Sequence, residues 1–369
     1  MPSLTIAGAG IAGLSCAITL AQHGLQCPIL ESRVEPPREG AGIQLGPNAV
    51  FTLRALGIDS EFFHRCAQPQ AISVFRLESG KKLCSLSLKD FVQRYHSPYL
   101  TCHRADLYKA LLARAKSLGL EPLWGHPYVA PESSEAWIIR ADGVGSQGQA
   151  PHKHAAVAIR GLISSAAGLA FDWPFEVQLW VAEGRHLVVY PTARTGELSA
   201  VLCVSRADLA EQPSGSHVDA ELFSESLGPH AQALEPLLAA MDSWSSWPLL
   251  SSDPLRGPQT LFGERCVRIG DAAHPLKPHM AQGAALALED GLVLGRLIGE
   301  GPRNEEGLGR AAARYAQARW QRVARIQRKT ERLGEVFQQS GVVGAARDAA
   351  LRLAGPAFIN DAALFGWTG

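Results

Sequence analysis

The chain of 369 residues carries no net charge, since 35 Lys and Arg residues balance 35 Asp and Glu residues. Proteins that bind nucleic acid usually show a basic excess, so the composition argues against a nucleic-acid partner. The seven cysteines are scattered, odd in number and without a C-x-x-C pair. This pattern argues against a disulfide framework and against a zinc or other metal site, and it fits a reducing cytoplasm.

No segment is expected to cross a membrane or to direct export. The uncharged run 4–21 has about the length of a membrane span, but it lacks the basic flank of a secretory signal and contains spaced glycines. We interpret it as a strand, a turn and a buried helix. Internal repeats and low-complexity linkers are also missing, and we expect a cytoplasmic protein.

The apolar pattern predicts a mixed α/β fold. Leu4 to Ala7, Ile11 to His23 and Gln26 to Glu31 read as one β-α-β unit. Ile72 to Leu77 and Lys82 to Leu88 form a predicted hairpin. Further strands are expected at 136–139, 157–163, 176–181, 187–190, 198–204 and 266–269, and helices at 104–118, 281–297 and 309–334. Short links between the strands from 157 to 204 indicate an antiparallel sheet.

A glycine motif, Gly8-x-Gly10-x-x-Gly13, follows the first strand and opens the first helix. Gly8 permits a tight turn, Gly10 lets the backbone approach a pyrophosphate, and Gly13 allows close packing of the helix on the sheet. The helix N-terminus offers free N–H groups to phosphates. Glu31 ends the next strand, where an acidic residue accepts hydrogen bonds from an adenosine ribose. Together these features predict dinucleotide binding.

Two later strands end in acidic turns, at Asp142-Gly143 and Gly270-Asp271. Together with the segments 40–49, 103–107, 185–191 and 280–291 and the tail Tyr315-x-x-x-Arg319-x-x-Arg322, they make the sequence similar to the single-component FAD-dependent aromatic hydroxylases. This group contains the salicylate, para-hydroxybenzoate and 3-hydroxybenzoate hydroxylases. Taken alone, Asp271 could be a helix cap and Asp142 a turn residue.

The resemblance implies a Rossmann-like parallel-sheet domain that binds FAD and is interleaved with an antiparallel-sheet substrate domain, followed by C-terminal helices. We expect the FAD-binding domain to comprise 1–71, 99–150 and 256–300. The substrate domain would comprise 72–98 and 151–255, and the helical region 301–369.

The resemblance also implies site residues. Asp271 would accept a hydrogen bond from the FAD ribitol, and Arg104 would lie along the ribityl-pyrophosphate chain. The backbone of Gly283 and Ala284 would meet the pyrimidine end of the flavin, where a helix N-terminus stabilises the anionic reduced ring. The expected cofactor-binding residues are Gly8, Gly10, Gly13, Glu31, Arg33, Gly42, Ile43, Arg104, Asp142, Asp271, Gly283 and Ala284, with Gly42 and Ile43 lining the isoalloxazine.

In this group NAD(P)H reduces the flavin, O2 adds to give a C4a-hydroperoxide, and one oxygen atom passes to an aromatic substrate. No second G-x-G-x-x-G follows a strand, so no separate nicotinamide domain is expected. The alternatives are a FAD dehydrogenase or oxidase of the same fold, and a flavin-binding protein that has lost catalysis. The second alternative arises because Val189 stands where some relatives have a histidine base.

Two residues are candidates for acid–base work on a phenol. His279 lies in the loop before the helix expected to face the flavin, and Tyr190 lies on a strand expected to wall the substrate pocket. Each has a plain alternative, a surface-loop histidine and a core tyrosine respectively. The arginine-rich tail is typical of a solvated helix paired with acids, and it leaves a homodimer contact open.

Overall fold

The computed structural model describes residues 3–37, 41–130, 136–144, 151–164, 173–193, 196–228, 234–241 and 244–369. The helices are α1 Ile11–Gln22, α2 Pro47–Ala55, α3 Ser60–Arg65, α4 Phe91–Tyr95, α5 Arg104–Ser117, α6 Ala207–Ala210, α7 Ala220–Leu227, α8 Glu235–Ala239, α9 Gly283–Glu300, α10 Glu305–Phe337, α11 Gly341–Ile359 and α12 Ala362–Phe365. The strands are β1 Leu4–Ala7, β2 Ile29–Glu31, β3 Gly42–Leu45, β4 Ala71–Arg76, β5 Lys82–Ser87, β6 Leu100–His103, β7 Leu123–Trp124, β8 Trp137–Arg140, β9 His152–Ile163, β10 Val177–Ala182, β11 Arg185–Pro191, β12 Leu198–Val204, β13 Ser216–Val218, β14 Trp244–Ser251, β15 Phe262–Gly263 and β16 Cys266–Arg268.

The first sheet is mainly parallel, with the order β15-β16-β8-β1-β2-β7. β8 pairs in parallel with both β1 and β16, and Arg140 at its end aligns with Ala7 and with Arg268. The carboxyl ends of these three strands therefore meet at one edge. Each is followed there by a motif from the sequence, Gly8, Asp142 and Gly270-Asp271, and such an edge is where α/β sheets bind ligands.

The second sheet has the order β13-β14-β9-β12-β11-β10-β4-β5. The expected hairpin of β4 and β5 and the antiparallel set β9 to β12 are confirmed. The pairing of β4 with β10 is parallel and was not predicted, and neither was β14, which adds to β9. A ribbon of β3 and β6 lies against the second sheet, since Gly42 donates its N–H to Ser199 Oγ on β12 at 3.2 Å.

Helix α1 is buried along almost its whole length, which explains the absence of charge in the run 4–21. It packs on α9 at two glycines. A Cβ added at Gly291 would lie 2.6 Å from the Ser15 side chain, and one at Gly295 would lie 2.6 Å from Thr19 Cβ. No helix in the described residues is both long enough and apolar enough to cross a membrane.

Two adjacent carboxylates, Glu289 and Asp290, are buried on α9 and paired with Arg319 of α10. Arg319 is 1% exposed and contacts both acids at 2.8 Å. Burial alone would raise the pKa of Asp290, but His274 and Arg319 outweigh it and lower the pKa to about 2. The expectation of a solvated arginine-rich helix is therefore wrong for Arg319. It is correct for Arg310, which forms an exposed ion pair with Glu306.

Helix α11, after the arginine-rich segment, lies within the region 301–369 that was expected to be helical, although no bounds were predicted for it. The α/β fold class with parallel and antiparallel sheets and C-terminal helices is confirmed. The domain boundaries stay predictions.

We expect Arg319→Ala to destabilise the protein strongly, because it leaves two buried carboxylates short of a partner. Breaking a buried ion pair on one side costs about 3–5 kcal/mol. Arg310→Ala on the same helix is the control, since its exposed i,i+4 pair contributes about 0.5 kcal/mol or less. Urea unfolding followed by circular dichroism measures both. Equal midpoints for the two variants would contradict a structural role of the buried pair.

Candidate active site

A cavity of about 590 Å³ opens between the carboxyl edge of the parallel sheet and one face of the antiparallel sheet. All the candidate site residues line it except Gly13, which lies beneath the first turn, and His279, which contacts the lining residue His186. Cavities of this size are typical of small-molecule and cofactor sites.

The three glycines differ in what surrounds them. Gly8 has φ +103°, and an added Cβ would lie 2.4 Å from Ala141 O. A Cβ at Gly13 would lie 1.9 Å from Gly8 O, so Gly13 is required for packing of α1 against the turn. A Cβ at Gly10 would meet nothing within 4 Å. Gly10 therefore leaves space at the N-terminus of α1, where N–H groups are free to bind phosphate.

Glu31 is 5% exposed and lies at the end of β2, facing the cavity. Its Oε2 accepts a hydrogen bond from the Ala9 N–H at 2.8 Å, and its Oε1 accepts one from the Arg33 N–H at 3.0 Å. These bonds fix the carboxylate beside the glycine turn. The Ser32 hydroxyl donates a third hydrogen bond, to Oε1 at 3.3 Å. Because a carboxylate has about four acceptor sites, about one remains for a ribose hydroxyl.

Asp142 is held by a neighbour that the sequence analysis did not single out. Both of its oxygens accept hydrogen bonds from Arg140, at 2.5 to 3.1 Å. Arg140 also lines the cavity, and its guanidinium lies 5.3 Å from the ring centroid of Tyr128.

Asp271 and Arg104 both line the cavity, and both residues are exposed. The surrounding protein raises the pKa of Asp271 through desolvation, against the lowering effect of His274 and Arg104. The backbone next to Asp271 is fixed from below, since Asp290 accepts hydrogen bonds from the Gly270 N–H at 3.0 Å and from His274 at 2.6 Å. Asp271 is thus presented by a rigid turn.

The start of α9 also borders the cavity. A Cβ on Gly283 would meet nothing within 4 Å, so the first turn offers an open N-terminus, with Ala284 beside it. Ala281 has φ +52°, a strained conformation for a residue with a side chain. Such an N-terminus suits the negative charge of a reduced flavin.

Gly42 and Ile43 line the cavity from β3. A Cβ on Gly42 would lie 2.5 Å from Ser199 Cβ, so only glycine lets this ribbon lie close to the antiparallel sheet.

The face of the antiparallel sheet that walls the cavity is organised in rows across β9, β12 and β11. Arg160, Val201 and Val188 form one row. The row on one side ends in Tyr190, and the row on the other ends in His186. The wall is therefore partly apolar. The guanidinium of Arg160 lies in the middle row, the hydroxyl of Tyr190 in the row on one side and the imidazole of His186 in the row on the other side.

Arg160 is the functional candidate that sequence analysis missed. Within the described part of the chain no carboxylate forms an ion pair with it, and its guanidinium lies 5.3 Å from the ring centroid of Trp247. Burial and the nearby Arg104 lower its pKa. A cation with this little compensation favours an anionic ligand. The predicted strand 157–163 is an apolar run with Arg160 as its one charged residue, and such a run does not show what the side chain of Arg160 faces.

Tyr190 and His279 differ from the simplest acid–base picture. Burial raises the pKa of Tyr190 to about 12, so this residue is a neutral hydroxyl near pH 7. Burial and the charge of Lys277 lower the pKa of His279 to about 4, so its imidazole is neutral. His279 Nδ1 lies 3.4 Å from His186 Nε2, and its ring packs on Gly334 of α10. His279 is therefore held in place and is not a free surface histidine.

Comparison with known proteins agrees with this geometry. Residues 2–138 match the family model described as an FAD binding domain. A 3-hydroxybenzoate 6-hydroxylase of Polaromonas naphthalenivorans is 30% identical, with 98% of this chain and 95% of that protein aligned. This chain belongs to the FAD-dependent aromatic hydroxylases. A family member from Bordetella bronchiseptica, 6-hydroxynicotinate 3-monooxygenase, is 32% identical over 89% of this chain and 90% of its own length.

Solved structures share the fold of this hydroxylase. A salicylate hydroxylase substrate complex superposes with TM-score 0.74 and 21% identity, covering 100% of this chain and 98% of the other. HpxO from Klebsiella pneumoniae, complexed with FAD and uric acid, gives TM-score 0.79 and 22% identity, covering 100% and 97%. Family membership, shown by the relatives at 30% and 32% identity, makes this protein an FAD-dependent monooxygenase. The open N-termini at Gly10 and Gly283 fit the cofactor.

We expect Gly10→Ala and Gly13→Ala to separate cofactor binding from folding. The Gly10 variant should fold, because its Cβ meets no protein atom, but it should hold at least tenfold less FAD. The Gly13 variant should lose thermal stability even as apoprotein, because its Cβ would overlap Gly8 O. Apoprotein melting and FAD titration by fluorescence distinguish the two. A Gly10→Ala protein with full FAD affinity would show that the pyrophosphate lies elsewhere.

Proposed function

We propose that this hydroxylase inserts one oxygen atom from O2 into a small aromatic or heteroaromatic substrate that carries an anionic group, with NAD(P)H as the transient reductant. The observation that carries the proposal is Arg160, a cation without an acidic partner among the described residues, set among Val188 and Val201 on the cavity wall. An apolar wall with one guanidinium suits an aromatic ring and its carboxylate or phenolate. The relatives are named for their action on hydroxybenzoate and hydroxynicotinate, which are aromatic acids, and this supports the proposed class.

Bound FAD supplies the redox chemistry: it takes electrons from the reductant and activates O2. The residues proposed to hold it are those that line the cavity. Glu31, with Arg33 beside it, would take the ribose, the start of α1 above Gly13 would take the pyrophosphate, and Asp271 and Arg104 would take the ribityl chain. Gly42, Ile43, Gly283 and Ala284 would border the ring system, with Gly8 shaping the turn and Asp142 placed by Arg140.

On the substrate side, the neutral hydroxyl of Tyr190 would donate a hydrogen bond to a substrate oxygen. The neutral imidazole of His279 would accept a proton from a substrate hydroxyl, since an oxyanion directs electron density to the attacked carbon. In this proposal His279, which lies in the loop, takes the role of the histidine that some relatives have at the position of Val189. The cytoplasmic location and a homodimer stay predictions.

The central test is a screen of benzoates, salicylates, nicotinates and quinolones, together with the neutral amide of each acid, for stimulated NAD(P)H oxidation. Acids should stimulate and the amides should not. With 18O2, one labelled oxygen atom should enter the product. A product without label and with stoichiometric peroxide would identify an oxidase or dehydrogenase, and no turnover with any aromatic would favour a non-catalytic flavoprotein.

We expect Arg160→Gln to raise KM for an acidic substrate about 10- to 150-fold, because a charge-assisted hydrogen bond contributes about 1.5–3 kcal/mol. Arg160→Lys should recover part of the lost affinity, since lysine keeps the positive charge but cannot donate two parallel hydrogen bonds as a guanidinium does. FAD content should not change. Arg256→Gln, which removes an exposed arginine, is the control. An unchanged KM for Arg160→Gln would place the anionic group elsewhere.

We expect His279→Ala to uncouple the reaction. Loss of general-base help should slow hydroxylation about 10²- to 10⁴-fold, while NAD(P)H still bleaches the flavin and peroxide is released. Stopped-flow absorbance measures reduction, and product and peroxide assays measure coupling. His217→Gln, on an exposed strand position, serves as control. Wild-type product yield in His279→Ala would turn attention to Tyr190.

A further inference from the structure

Three side chains with metal-binding atoms converge at one end of the cavity. His186 on β11 and Cys203 on β12 are direct cross-strand partners, so they project from the same face of the sheet. His279 reaches them from the one-turn helix Pro278–Met280. One nitrogen or sulfur atom from each residue lies within 4.8 Å of those of the other two. Three separate elements thus bring together two imidazoles and a thiol.

The spacing of the two imidazoles matches that of metal ligands. His279 Nδ1 and His186 Nε2 are 3.4 Å apart, which is longer than the usual hydrogen bond of about 2.9–3.0 Å. Two nitrogens on a tetrahedral Zn²⁺, each about 2.0–2.1 Å from the ion, lie about 3.3 Å apart, and a nitrogen and a sulfur lie about 3.6 Å apart. The histidine pair already has this separation, and since the sulfur lies within 4.8 Å of each nitrogen, it needs to move by at most about 1 Å.

His186 also lacks the bonding of an ordinary structural histidine. It is 1% exposed, and its Nδ1 has no hydrogen-bond partner among the described residues. An ion bound at Nε2 would place the ring proton on Nδ1, so the unpaired Nδ1 is compatible with ligation, and the case for an ion rests on the position of Nε2 beside His279. His186 and Cys203 line the cavity, which gives an ion a route to the cluster.

We propose that His186, Cys203 and His279 form a site for one thiophilic divalent ion such as Zn²⁺, and that the bound ion inhibits hydroxylation. Two imidazoles and a thiolate suit borderline and soft ions and disfavour Mg²⁺ and Ca²⁺, which prefer oxygen. Binding forms one metal–sulfur and two metal–nitrogen bonds and releases the thiol proton of Cys203 to solvent. The ion takes the lone pair of His279 and narrows the substrate end of the cavity. The site departs from the expectation of no metal, because the fold brings distant residues together.

The test uses tag-free holoenzyme, with Zn²⁺ in equilibrium dialysis and Co²⁺ as a spectroscopic probe at wavelengths beyond the flavin bands. We expect one ion per FAD, a cobalt–thiolate spectrum, and at least tenfold weaker binding in both Cys203→Ser and His279→Gln. The controls Cys266→Ser and His217→Gln remove a thiol and an imidazole outside the cluster and should bind the ion normally. FAD content and melting temperature show that each variant is folded.

Inhibition is the second measurement. Zn²⁺ should suppress hydroxylation without displacing FAD, a chelator should restore it, and Cys203→Ser should resist it. The proposal is overturned if the wild type binds no stoichiometric ion, if Cys203→Ser and His279→Gln bind as the wild type does, or if the control variants also lose the ion. Because ion binding is measured without turnover, these outcomes are independent of whether the proposed hydroxylation is correct.

Discussion

The buried pairing of Glu289 and Asp290 with Arg319 is the interaction on which the geometry of the site depends. Charges without solvent are costly unless each is fully paired, so these groups fix the relative positions of α9 and α10. Asp290 extends the same constraint to the Gly270 N–H and to His274, and thereby to the turn that carries Asp271. Glu289 extends it in the other direction to Asn48 Nδ2, at 2.8 Å, and so to the ribbon side of the cavity. A single charged cluster thus links three parts of the cavity lining.

This arrangement explains why widely separated sequence motifs act together. The three acidic or glycine turns belong to strands β1, β8 and β16, whose registers align at one edge of the sheet. The parallel pairing of the strands alone brings the three motifs together. The antiparallel sheet then closes the cavity from the opposite side, where Gly42 allows close approach to Ser199.

The parallel half of the fold could be predicted from sequence because its signals are local. A short apolar strand, a glycine turn and a helix that is apolar on all sides are contiguous between residues 4 and 22. By contrast, β14 was missed because its sequence WSSWPLLS contains a proline and alternates poorly. The parallel pairing of β4 with β10 was missed for a different reason. It joins strands about 100 residues apart, and the local sequence of a strand does not show which strand it pairs with.

The same distinction applies to the site. Residues expected to bind the cofactor through the backbone or an adjacent turn, such as Gly10 and Asp271, can be recognised from sequence motifs. Both line the cavity. Residues that depend on cross-strand register cannot be recognised in this way. Arg160 is one charged position on a mostly apolar strand, and the contact of His186 with His279 spans 93 residues. The wall formed by the antiparallel sheet is therefore the part of the cavity that sequence leaves open. Since the edge of the parallel sheet is held by backbone geometry and by the buried charges behind it, we expect that side chains on the face of the antiparallel sheet can change without loss of flavin binding.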